Sequence, residues 1–111
     1  PTRTGSGAVS ILSNTLSAIT TIPDASTFKQ DATNTYAIPT GSGNGWYNYN
    51  ATNNLITPIA GKVFVIKTHD GKYAKMEIIS YYKDAPANPD PAVGSRYFTF
   101  KYVYQPSGTS F

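Results

Sequence analysis

Lys62-Val-Phe-Val-Ile-Lys-Thr68, then His69-Asp70-Gly71, then Lys72-Tyr-Ala-Lys-Met-Glu-Ile-Ile-Ser-Tyr-Tyr82 is the stretch on which the reading of this chain turns. The first arm is dense in β-branched residues, which favour the pleated strand. Asp70-Gly71 is a favoured pair for a tight hairpin, because Gly accepts a positive φ freely and Asp tolerates it. On the second arm Ala74, Met76, Ile78 and Tyr82 point one way, while Tyr73, Lys75, Glu77, Ile79 and Tyr81 point the other. Residues 83–94 contain Pro86, Pro89 and Pro91 and cannot continue a ladder, so they form a loop. Residues 96–104 alternate again, with Phe98, Phe100, Tyr102 and Tyr104 on one face and Tyr97, Thr99, Lys101 and Val103 on the other. The pattern predicts a three-strand antiparallel meander with one aromatic face. Phe98 and Phe100 are expected to face the core.

Outward from the meander the signal weakens. Val9, Leu12, Leu16 and Ile19 fit helical spacing, but Thr and Ser crowd the same window. A strand at residues 9–12 followed by a turn explains the pattern about as well. Gly41-Ser-Gly-Asn-Gly45 reads as a flexible loop. Trp46-Tyr47-Asn48-Tyr49 reads as a short strand or aromatic rim, residues 51–54 as a turn, and Leu55-Ile-Thr-Pro58 as the lead into the hairpin. Residues 106–111 are left as a tail.

Composition supports a mainly β chain. Of 111 residues, 14 are Thr, 10 Ser, 8 Asn, 9 Gly and 8 Pro, a recipe poor in helix formers and rich in turn formers. Charged residues are only 14%, against about 25% in an ordinary soluble domain. Four of them lie in residues 1–60 and eleven in residues 61–111, and none occurs from Ala32 to Gly61. This shift marks two halves of one domain, or of part of one: a neutral, loop-rich half (1–60), and a second half made of the meander (61–105) and a tail (106–111).

Nine basic residues against six acidic ones give a net charge of +3. The basic residues are scattered, which does not predict a nucleic-acid partner, although Lys67, Lys75 and Lys101 fall on strands and could align across a sheet. The longest uninterrupted apolar run is residues 63–66, far short of the roughly 20 residues a membrane helix needs. With no cysteine, disulfides, zinc–thiolate sites and thiol catalysis are excluded. The opening Pro1-Thr2-Arg3-Thr4 reads as a processed or truncated start.

Little in the chain predicts an enzyme. His69, the one histidine, lies beside the hairpin turn. The six carboxylates sit mostly in turns with no close pair, so a two-carboxylate hydrolase would have to be assembled from distant positions. The glycine-rich loop lacks the Lys-Ser/Thr and the βαβ setting of a phosphate loop. The uncharged aromatic stretch is more suggestive. Tyr36, Trp46, Tyr47 and Tyr49 carry large apolar rings with a polar handle, suited to stacking on flat ligands or sugars, or else to plugging a small β core. For a metal or haem iron the chain offers His69 and Met76, both weak candidates, with Met76 in the apolar register of its strand.

Three segments together resemble the HmuY-like proteins, haem-binding lipoproteins on the surface of Bacteroidetes. They are residues 71–82, the closing Tyr97-Phe-Thr-Phe-Lys-Tyr-Val-Tyr-Gln105, and Trp46-Tyr47-Asn48-Tyr49. Arg3-Thr4-Gly5-Ser6-Gly7 is similar to the end of that family's Arg-Thr-Asn-Gly-rich segment. The resemblance covers nearly the whole chain, is most specific over residues 61–105, and corresponds to the C-terminal part of a longer, lipid-anchored protein. It implies an all-β, hand-shaped fold of antiparallel sheets that grips haem and passes it to an outer-membrane transporter. It further implies a site at the cell surface or outer membrane, or secretion.

The ligand set departs from the family. One ligand commonly falls just before an Ile/Val-x-Pro-Ile segment, where this chain has Asn53-Asn54 ahead of Leu55-Ile56-Thr57-Pro58-Ile59. The other falls within residues 20–45, which hold neither His nor Met. The expected His pair is therefore absent. Asn amides are poor haem-iron ligands, and Tyr36 is the remaining phenolate candidate. The expectation is a non-enzymatic binding protein for haem or another planar ligand, bound weakly or through aromatic contacts. The alternatives are an accessory subunit of an outer-membrane assembly and a carbohydrate-binding module built on Trp46 and its neighbouring tyrosines.

Overall fold

The computed structural model describes residues 4–111 and is all-β. Six strands form: β1 (Ala8–Ser13), β2 (Tyr47–Asn50), β3 (Leu55–Pro58), β4 (Lys62–Lys67), β5 (Tyr73–Tyr82) and β6 (Ser95–Gln105). A single turn of 3-10 helix, Ala25–Thr27, is capped by the Asp24 carboxylate, which accepts from Ser26 N at 2.9 Å. Strands β1, β4, β5 and β6 make one antiparallel sheet in the spatial order β1-β4-β5-β6, and β2 and β3 make a separate two-stranded hairpin. The meander is therefore present, and β1 joins it as a fourth strand. Of the two readings of residues 9–19, the strand is the one that forms. No described helix is long and apolar enough to cross a membrane.

The hairpin between β4 and β5 is wider than the dipeptide suggests. Thr68 N donates to Lys72 O at 2.8 Å and Gly71 N to Thr68 O at 3.1 Å, leaving His69, Asp70 and Gly71 in the loop. Within it only Gly71 takes a positive φ, +80°. Three-residue loops of this kind set a glycine in the left-handed region after a turn. Asp70 serves instead as a tether: its carboxylate accepts from the Thr68 hydroxyl and pairs with Lys72 Nζ at 3.1 Å.

Burial grades across the sheet. The aligned row Ile11–Phe64–Met76–Tyr102 runs from strand to strand on one face. Along it Phe64 is 2% exposed, Met76 is half-buried and Tyr102 is 65% exposed. On the other face the row Ser10–Val65–Lys75–Val103 behaves alike. Its first three members are buried and Val103 is exposed. The core gathers over β4, where Val63, Val65 and Ile19 are buried and Leu12, Leu16, Ile22, Phe28, Tyr73 and Phe111 pack around them.

Phe98 and Phe100 do not face the core. They lie 50% and 48% exposed on β6, which ends the sheet. The expectation failed because alternation fixes which residues share a face, not whether anything covers that face. Residues 106–111, which lack a strand pattern, return to the core: Ile22 N donates to Thr109 O at 3.0 Å and Phe111 N to Thr20 O at 2.9 Å.

Lys75 is the one charged residue in the buried set among the described residues, and its ammonium is held by protein partners. Its ammonium donates to the carbonyls of Leu16 at 2.5 Å and Ile19 at 2.8 Å, and lies 5.3 Å from the centre of the Phe111 ring. These bonds hold residues 16–19 over the sheet in place of regular structure. Lys75 is therefore not part of a solvent-facing row with Lys67 and Lys101.

Candidate functional site

The sequence-predicted site residues fall into four separate places. Tyr36 lies 57% exposed at an open hollow of about 350 Å³, formed with Val9, Lys29, Asp31 and Ile38. That volume is at the lower end of the roughly 300–1,000 Å³ typical of small-molecule sites. The Asp31 carboxylate accepts from Ala37 N at 2.9 Å, which ties down the segment carrying Tyr36.

Trp46 and Tyr47 sit at the other end of the neutral half. Their rings meet edge to face at 5.0 Å. The β2 strand is braced by the glycine-rich loop: Gly43 N donates to Tyr47 O at 2.9 Å, Gly41 N to the Tyr47 hydroxyl at 3.2 Å, and Tyr49 N to Ser42 Oγ at 2.8 Å. Gly45 permits the close approach behind it, since a Cβ there would meet Pro39 O at 2.3 Å. Loop 41–45 is thus folded back onto β2.

Asn53 and Asn54 form the β2–β3 turn. Asn53 Oδ1 accepts from Leu55 N at 3.1 Å, Asn54 Oδ1 accepts from the Tyr49 hydroxyl at 2.8 Å, and Asn54 takes φ +57°. Asn is among the few side chains that tolerate that region. Both amide oxygens, and the hydroxyl of Tyr49, are employed in shaping the turn.

His69 occupies the tip of the β4–β5 hairpin, where its carbonyl accepts from Ser6 Oγ at 2.9 Å. Met76 sits in mid-sheet between its cross-strand partners Phe64 and Tyr102. The structure therefore does not bring Tyr36, His69 and Met76 to one gap. Among the described residues no three His, Cys, Asp or Glu side chains converge on a metal position.

One cluster was not legible in the sequence. Trp46 packs against Tyr81 at 5.7 Å and Phe98 at 5.5 Å between ring centroids, and those two rings are 5.2 Å apart. The register explains the meeting. Ile78 faces Phe100, but Ser80 faces Thr99 and Tyr82 faces Ser95, so both strands carry irregularities here. Arg96, at φ +67°, lies within the β6 irregularity. Bulges of this kind re-aim side chains at strand ends. The Tyr82 hydroxyl then accepts from Ile56 N at 2.8 Å and fastens the β2–β3 hairpin to the sheet.

From this cluster an aromatic row continues along β6. Phe100 and Tyr102 lie 6.1 Å apart, and Tyr104 follows, all three about half exposed or more. The row has Met76 beside it as the cross-strand neighbour of Tyr102. This is the largest run of exposed rings in the molecule, and it can stack on a flat ligand or receive an apolar surface. Compared with protein-family models and with curated proteins, the chain matches none.

Proposed function

We propose that this chain is part of a surface-exposed, non-enzymatic binding protein of HmuY-like type, which captures haem or another planar ligand for delivery to an outer-membrane transporter. In this reading the protein is held at the bacterial surface by a lipid anchor. The observation that supports it is the exposed row Phe100, Tyr102 and Tyr104, continued by Phe98 where it meets Trp46 and Tyr81, whose rings offer apolar surface to a flat ligand. The iron donors do not fit a two-ligand clamp, because His69, Tyr36 and Met76 occupy three separate places. Binding therefore rests on stacking, with the Met76 thioether and the Tyr102 and Tyr104 phenols as the donors at the row. The carbohydrate reading would rest on Trp46 and its neighbouring tyrosines; it has less support here because the Trp46 ring is packed against three others.

A haem titration followed at the Soret band, under oxidising and reducing conditions, tests this. A saturable shift at about one equivalent is expected. It should weaken in Tyr102→Ala and persist in His69→Ala. Loss of the shift in His69→Ala would make the hairpin tip the site. A flat titration of the wild type would end the haem reading and leave a protein partner as the function to pursue.

A further inference from the structure

The two edges of the main sheet are treated differently. On β1, Val9 N donates to Lys29 O at 3.0 Å and Lys29 N to Val9 O at 2.8 Å, so a returning segment covers that edge. On β6 no described strand or bridge pairs with the outer side over its eleven residues. Natural edges are usually short, charged or covered, because a free ladder is a template for another strand. This one carries Lys101 and an irregularity at Arg96, but from Thr99 to Gln105 it is long and uncovered, and Tyr97, Phe98, Phe100, Tyr102, Val103 and Tyr104 are each 41–65% exposed along β6.

We propose that β6 is a docking edge for an extended strand of a second polypeptide in which acidic residues alternate with aromatic or branched apolar ones. The partner's backbone would complete the ladder, which is the general mode of strand addition. Its apolar side chains would lie beside Phe98, Phe100, Tyr102 and Tyr104, and its carboxylates beside Lys101 on the opposite face. Charge selects this occupant. β6 carries Arg96 and Lys101 and no carboxylate. Lys101 stands opposite Glu77, yet no ion pair joins them.

A second copy of the chain fits less well. A second β6 has no carboxylate to set beside Arg96 and Lys101, and β1, β2 and β3 contain no acidic residue to offer. The β1 edge is in any case already bridged by Lys29. The inference goes beyond the haem reading, since it needs the backbone edge of β6 as well as its rings, and the N-methylated strand tests that edge separately.

The test is fluorescence anisotropy with three labelled peptides: an alternating Glu–Val strand, its Lys–Val counterpart, and the Glu–Val strand N-methylated at alternate residues. Wild type should bind the Glu–Val strand saturably, less tightly as salt rises, and bind the other two at least about tenfold more weakly. Lys101→Glu, shown to be folded by an unchanged unfolding midpoint, should reverse the preference between the Glu and Lys strands. Equal binding of the Glu and Lys strands would overturn the proposal. So would undiminished binding of the N-methylated strand, or sedimentation equilibrium showing a dimer that excludes the peptides.

Discussion

β4 and β6 belong to the same meander and are both built from β-branched and aromatic residues, yet they lie in opposite environments. Val63, Phe64 and Val65 of β4 are 0–2% exposed, whereas the large side chains of β6 are 41–65% exposed. β4 has a neighbour on each side and Leu16, Ile19, Ile22 and Phe28 packed over it, while β6 has one neighbour and is touched only at Phe98, by Trp46 and Tyr81. Strand propensity and burial are separate properties, and a strand pattern reports only the first. The contrast also separates stability from recognition: one apolar strand holds the fold together, and the other remains available.

The largest effect should come from pairing one truncation in each strand. Phe64→Ala removes a fully buried ring and should cost about 3–5 kcal/mol. Phe100→Ala removes a half-exposed one and should cost about 1 kcal/mol, by the area it keeps from water. Urea unfolding of the two variants gives both numbers. Equal losses would mean that β6 is buried in solution, and the contrast between the strands would collapse.

A smaller effect concerns what shields β4. Lys75→Met deprives the Leu16 and Ile19 carbonyls of their ammonium donor. Leaving buried acceptors unpaired should cost about 1–3 kcal/mol. Hydrogen exchange should locate the loss at residues 16–19 and leave β6 unchanged. A variant as stable as wild type would mean that those carbonyls find water instead, and that the cover over β4 is looser than described.

The smallest effect lies at the turn joining β4 to β5. Asp70 is pulled down from 3.8 to about 2, chiefly by the hydrogen bond from the Thr68 hydroxyl, then by Lys72. A carboxylate with a lowered folded pKa adds stability that is fully present above the unfolded value of 3.8 and is lost as pH falls through about 2. An NMR titration should place the Asp70 midpoint near 2, with faster exchange of the Gly71 amide below it. A midpoint near 3.8 would show the tether to be open in solution.

How much of this was legible follows from what each signal encodes. The β4–β5 arms and β6 were readable because alternation and β-branching persist for six to eleven residues. The β2–β3 hairpin was partly readable from its aromatic and Asn-rich turn. The cover formed by Leu16, Ile19 and Phe111 was not, because it is irregular chain held by carbonyl–ammonium bonds that no local period marks. The cluster of Trp46, Tyr81 and Phe98 was hidden for another reason. It depends on register shifts near residues 79 and 96, and a shift of one residue exchanges the faces of everything beyond it. Candidate residues could therefore be named by type, while their grouping into four separate places required the fold.

That cluster has a practical consequence. The chain contains a single tryptophan, and its indole lies within 6 Å, centroid to centroid, of Tyr81 and Phe98 at the junction between the β2–β3 hairpin and the outer strand. The intrinsic emission of the protein is thus a built-in, label-free gauge of one place. A planar chromophore laid along β6 would quench it by energy transfer, and a strand added to the edge would shift it by excluding water.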